Sequence, residues 1–306
     1  MQNDIQDNVN QSISNQVKAE QPRIGWILYN KCDAERNCGY IDFHKEEGEK
    51  LGIQIQLLYI EEIEFGVKQD RWYLTYQGKE ISYPDFAIMR MNYPLLTRQL
   101  ELLGIPVFNN SFVASICNDK AQTYQYVAKT GVEMVDSKFV HKNFLRDNLD
   151  NIKRPFVVKS VSGHGGQQVF LIEEDTTDIQ SIYEQLDDHV VIQPLVGSKR
   201  QDLRVYVVGN EIVAAVLRTG QDGFKSNFSL GGKAEYFELE EEEKEIVEKI
   251  IDLFDFGLVG IDFIIGDHGE LIFNEIEDVV GSRMLYSCTD VNIVALYLAH
   301  IKKRVY

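Results

Sequence analysis

The chain has 306 residues, 44% of them apolar and 26% charged, with a formal net charge of −17 at pH 7. No apolar run approaches the roughly 20 residues that span a bilayer, and an acidic balance disfavours nucleic-acid binding, which needs a basic surface. It leaves phosphorylated small molecules open, because charges more than about 8 Å apart are screened at physiological salt and local cations decide.

Residues Met1 to Gln21 are rich in Asn, Gln and Ser. They lack an apolar core for a signal peptide and are expected to form a disordered lead-in. Arg23 to Asn30 reads as a buried strand, Asp42 to Leu51 as a helix and Ile53 to Tyr59 as a second strand. Trp72 to Tyr76 and Lys79 to Ile81 flank Gln77-Gly78 as a hairpin. Phe86 to Arg90 is a short strand, Leu95 to Leu103 a helix stopped at Gly104, and Val107-Phe108 a further strand. Alternating strands and helices predict an open α/β sheet over residues 23–110.

Asn118 to Thr130 is expected to be a helix capped by Asn118 and closed by Gly131. Strands follow at Phe156 to Ser160 and Val169 to Ile172, around a glycine-rich loop, then a helix at Ile179 to Leu186 and a strand at Val190 to Gln193. Asp202 to Leu217 is a hairpin turning at Gly209-Asn210. The acidic run Glu238 to Glu245 reads as the solvated start of a helix, Glu240 to Phe254. Val259 to Ile265 and Glu270 to Ile276 form a second hairpin, and Asp290 to Lys303 a closing helix. Cys32, Cys38, Cys117 and Cys288 match no metal or disulfide framework, which suits a reducing cytosol.

Chemistry concentrates in the last hairpin. Strand side chains alternate, so Glu275 and Glu277 face one side, and Asn274 and Ile276 the other. A symmetric turn at 266–269 would set Asp262 opposite Phe273 and diagonal to Glu275, gathering three carboxylates within apolar strands. Such a cluster repels itself unless a hard, oxygen-seeking cation such as Mg²⁺ joins it. The alternative is solvated edge residues. The loop Ser160 to Gly166, entered through Lys159, has small residues able to close over phosphate oxygens, although it lacks the ending of a P-loop. An ordinary hairpin turn would also explain it. Asp202, Arg204, Arg218 and Asn227 form a spaced polar set whose two guanidinium forks suit carboxylate and phosphate oxygens.

The order of these motifs resembles the RimK-like branch of the ATP-grasp ligases. The resembling stretches are Asn118-Asp119-Lys120, PFVVKSVSGHGGQQV (155–169), VIQPLV (191–196), DLRVYVVGNEIVAAVLR (202–218), GFKSNFSLGG (223–232) and GLVGIDFII…GELIFNEIE (257–277). They cover about residues 110 to 295. The resemblance implies an ATP-grasp fold of mixed α/β subdomains behind an N-terminal pre-ATP-grasp domain. The expected units are 1–22, 23–110, 111–195 and 196–306.

It also implies roles. Lys120 and Lys159 would contact ATP phosphates and the adenine edge, and Gln193, Pro194, Leu195 and Val196 would form the hinge that reads adenine. Ser162, Gly163, His164, Gly165 and Gly166 would cover the γ-phosphate. Asp202 would belong to the nucleotide site, and Asn227 would sit by phosphate or metal. Arg204 and Arg218 would hold the substrate carboxylate and the transferred phosphoryl group. Asp262, Glu275 and Glu277 would ligate two Mg²⁺ or Mn²⁺ ions. The family usually has Asn where this chain has Glu277, which changes the charge of the metal site. Asp278 to Arg283 replaces a proline-glycine turn.

The implied reaction is ATP-dependent amide formation through an acyl phosphate in the cytoplasm, adding an amino acid such as glutamate to a small molecule or peptide, and the resemblance leaves room for a homodimer. A kinase on the same fold and a non-catalytic ATP-binding protein are the rivals.

Overall fold

The computed structural model describes residues 23–163, 168–174, 176, 178–220 and 233–306. The expectations for 1–22, His164, Gly165, Gly166 and Asn227 lie outside the described residues.

A parallel sheet opens the chain. Its strands are β1 (Arg23–Tyr29), β2 (Ile53–Tyr59), β6 (Phe86–Met89) and β7 (Val107–Phe108), in the order β2-β1-β6-β7. Trp26, Ile27 and Leu28 are fully buried, as a central parallel strand covered on both faces requires. A three-stranded antiparallel sheet of β3 (Ile63–Lys68), β4 (Arg71–Tyr76) and β5 (Lys79–Glu80) branches from it. The helix expected from Asp42 begins earlier, at Cys38, after a shorter helix Lys31–Arg36.

A second sheet contains β8 (Lys138–His141), β9 (Phe156–Ser160), β10 (Val169–Ile172) and β11 (His189–Pro194), ordered β10-β9-β11-β8. The third is antiparallel, ordered β14-β13-β12-β15-β16, from β12 (Gln201–Val208), β13 (Glu211–Thr219), β14 (Lys233–Phe237), β15 (Leu258–Ile265) and β16 (Leu271–Glu277).

This third sheet is the frame of the molecule. On one face, Leu203, Val205 and Phe263 pack with Val113, Tyr124 and Val247 from helices Ser111–Cys117, Lys120–Val127 and Glu241–Ile251. On the other, Tyr206 and Val216 share a core with Ile27, Phe86 and the C-terminal helix Ile293–Val305. The acidic run starts its helix as expected: Glu240 and Glu243 form a reciprocal cap, with the Glu240 amide donating to Glu243 at 2.8 Å.

One cap differs from expectation. Asp119, not Asn118, accepts from the Gln122 amide and starts the helix that carries Lys120. Asn118 instead ends the preceding helix and donates to Asp278 Oδ2 at 2.9 Å.

Candidate active site

A cleft lies between the second and third sheets. Val157, Lys159 and Val169 line it from one side, and Ile264, Asn274 and Glu275 from the other. Residues 193–197 close one end. Gln193 spends its side-chain amide on the Tyr124 hydroxyl (2.9 Å) and Ser137 Oγ (2.8 Å). The side-chain nitrogen of Gln193 is thus committed within the protein. Gly197 has φ +77°, and a Cβ there would lie 2.6 Å from Ile264 Cγ2, so only glycine passes so close to β15.

Two buried ammonium groups reach the cleft. Lys159 Nζ donates to Asn274 Oδ1 at 3.2 Å and stands over the Tyr124 ring at 5.4 Å. Burial pulls it down to about 8, against the opposing pull of Glu275. Lys120 donates to the Gly163 carbonyl and lies 3.8 Å from Glu275 Oε2. Burial lowers it as well, with Glu275 raising and Lys159 lowering it further. Ser162 Oγ donates to Asp187 Oδ2 at 2.7 Å, which pins the entrance of the glycine-rich loop.

The third sheet carries a row of alternating charges. Asp202 pairs across the sheet with Arg218, and Arg204 with Asp262. Arg218 Nε and Nη2 donate to Asp202 at 2.5 and 2.8 Å, and Nη2 also to Asp262 Oδ2 at 2.7 Å. Arg204 Nε and Nη2 donate to the two Asp262 oxygens at 2.8 and 2.7 Å, while its Nη1 meets Glu277. Burial alone would raise Asp262, but the two guanidiniums hold it at about 2. Glu277 goes the other way: burial raises it, aided by Asp262 and Glu275, despite Arg204.

The last hairpin departs from simple alternation. Asp262 pairs directly with Glu275, and Phe263 with Phe273, so Asn274 is an extra residue in a β-bulge. This corrects two expectations. Asp262 is opposite Glu275 instead of diagonal to it, and Asn274 joins Glu275 in lining the cleft instead of facing away.

The sequence profile of the RimK-like ATP-grasp domain matches residues 117–301. The chain belongs to the RimK-like ATP-grasp family. A Klebsiella pneumoniae protein named "Probable alpha-L-glutamate ligase" is 27% identical over 274 residues, 85% of this chain and 90% of its own. The D-alanine--D-alanine ligase of Bacillus anthracis shares the fold at TM-score 0.67 and 19% identity, over 92% of this chain and 97% of that one. So does the ATP-grasp ligase PsnB, complexed with minimal precursor, Mg and ADP, at TM-score 0.65 and 16% identity, over 92% and 96%.

In this RimK-like chain the expected metal residues lie on adjacent strands of one sheet, yet each is met by a cation: Asp262 by both arginines, Glu277 by Arg204 and Glu275 by Lys120. Among the described residues, no three ligand-type side chains close around one point. The donor chemistry nevertheless fits Mg²⁺. All three offer hard oxygens, and the enclosed Glu277 Oε2 touches Arg204 without accepting a well-directed hydrogen bond. Sequence reasoning missed Asn274, whose amide partners Lys159, because nothing in the residue order marks the bulge. It also missed Asp278, which accepts from Asn109 Nδ2 at 2.6 Å as well as from Asn118.

Proposed function

We propose that this ATP-dependent carboxylate–amine ligase joins an amino acid such as glutamate to a small-molecule or peptide partner. The γ-phosphoryl group of ATP passes to a substrate carboxylate, the amine attacks the acyl phosphate, and inorganic phosphate leaves. The observation that carries this reading is that two buried lysines line one cleft with Glu275 and with Asp202, the first member of the charged row Asp202–Arg218–Asp262–Arg204–Glu277. The curated relatives' names and the Mg- and ADP-bound neighbour support it.

The nucleotide would lie between Val157 and Ile264, its adenine edge against the backbone of Gln193 to Val196. Lys120 and Lys159 would neutralise its phosphates, with Ser162, Gly163 and the glycines beyond closing over them. Asp202 orients Arg218, whose Nη1 makes no hydrogen bond among the described residues and can meet an incoming oxygen. Arg204 and Arg218 hold the carboxylate and steady the charge on the transferred group. Asp262, Glu275 and Glu277 would hold Mg²⁺ or Mn²⁺, which supplies charge neutralisation at the phosphates. Asn227 belongs to the same proposal.

Residues 23–110, 111–195 and 196–306 are the working units of the reading, the cytoplasm its compartment and a homodimer its assembly. No helix among the described residues is long and apolar enough to cross a membrane.

The test is Glu275→Gln. It should retain the fold and lose ADP release that requires both an acid and an amine, together with the new amide seen by mass. Near-normal turnover would refute the assigned role. ADP release indifferent to the amine would favour phosphorylation of a hydroxyl instead.

A further inference from the structure

The parallel sheet runs β2-β1-β6-β7, so its strand order reverses between β1 and β6. In open parallel α/β sheets, the crevice outside the carboxyl ends at such a reversal is where ligands bind. Tyr29 ends β1 at that point, and Arg90 lies one residue past β6, its amide donating to Leu28 O at 3.1 Å.

The Arg90 side chain is about nine-tenths buried. Its Nε donates to the Tyr29 hydroxyl at 3.3 Å and its Nη2 to the Val280 carbonyl at 2.9 Å. The Tyr40 ring lies 5.2 Å away. All of these partners are neutral, and Nη1 has none among the described residues. Asp278 senses the charge, but its oxygens are taken by the Asn109 and Asn118 amides. Arg204 and Arg218, equally buried, each hold two carboxylates. A guanidinium cannot shed its proton to escape burial, so Arg90 is a buried cation still lacking its anion.

Its surroundings lead to the reaction centre. Val280 lies three residues beyond Glu277. The next carbonyl, Gly281, accepts from the Tyr206 hydroxyl at 3.0 Å, and Tyr206 stands two residues after Arg204 on the same strand. A molecule anchored at Arg90 can therefore extend towards Arg204.

We propose that Arg90 binds a substrate carboxylate that is not itself activated, either on the free amino acid or on a peptide acceptor. This rests on the ligase reading above. A guanidinium fork accepts a carboxylate through paired hydrogen bonds that a lysine cannot reproduce.

The test compares the full chain with Arg90→Met and Arg90→Lys by melting temperature. MgADP should raise all three alike, since Arg90 does not line the nucleotide cleft. Added L-glutamate or the dipeptide Glu-Glu should raise wild type further, leave Arg90→Met unmoved, and act on Arg90→Lys only at roughly tenfold higher concentration. Whichever probe acts tells the free amino acid from the peptide. The same further rise in Arg90→Met, or none in wild type while MgADP still acts, overturns the Arg90 site and leaves the ligase reading standing. No response of wild type to MgADP overturns the ligase reading, and the Arg90 site with it. If Arg90→Met does not fold, an unchanged half-saturation in Arg90→Lys overturns the proposal.

Discussion

Arg204 and Asp262 face each other across β12 and β15 and join through two parallel hydrogen bonds, of 2.8 and 2.7 Å. Asp262 is 1% exposed and also accepts from Arg218. Removing its charge leaves two buried guanidiniums under-compensated. Asp262→Asn should therefore lose about 3–5 kcal/mol of stability and all ligation, with urea unfolding and ADP release as the measurements.

Lys159 gives a pH signature with two opposite signs. Burial sets the folded lysine at about 8, below the ordinary lysine value of 10.5, so between those values the unfolded chain holds more protons. Stability of the nucleotide-free protein should rise with pH across that window. Nucleotide affinity should fall there, by up to roughly tenfold per pH unit, as the ammonium that meets phosphate is lost. In Lys159→Met, denaturant midpoints and ADP titrations should both lose this pH dependence.

Gly197→Ala would place a methyl group against Ile264 Cγ2 and the Ile265 carbonyl, at a residue with φ +77°. The strain should cost about 1–3 kcal/mol and displace residues 193–196, weakening ADP binding more than substrate binding. Calorimetry of each ligand separates the two.

Asp278→Asn tests the joint that ties the strand-end after Glu277 to Asn109 and Asn118. An amide can accept on one side only, so a buried donor is left facing another donor. The expected loss is about 1–3 kcal/mol, read from guanidinium unfolding, and Asp278→Ala should fall in the same range.

Much of this architecture can be read from the residues alone. Val169–Ile172 forms the strand its apolar run indicates, and Arg204 and Arg218 share a hairpin because Gly209-Asn210 turns it. The family resemblance located the cleft residues Lys120, Lys159 and Gln193–Val196. What escaped sequence reasoning depends on tertiary contact. Asn118 and Asp119 are both good caps, and only the Asp278 contact shows why Asn118 turns away. Strand β8 pairs with β11 and has no alternation of its own to reveal it. Arg90 is a single arginine at a strand end, and its lack of an acid emerges only once its neighbours are in place.

The one-residue bulge at Asn274 sets the phase of everything that follows it. If β16 paired with β15 residue for residue, Asn274 would fall opposite Asp262, and Glu275 would slide to Ile261, among the helix-packed side chains of the apolar layer. Ile276 would then turn towards the cleft. Pairing the same residues without the bulge would thus exchange greasy and acidic faces along the rest of the strand, and polyphosphate chemistry would lose its floor although no acidic residue had been removed.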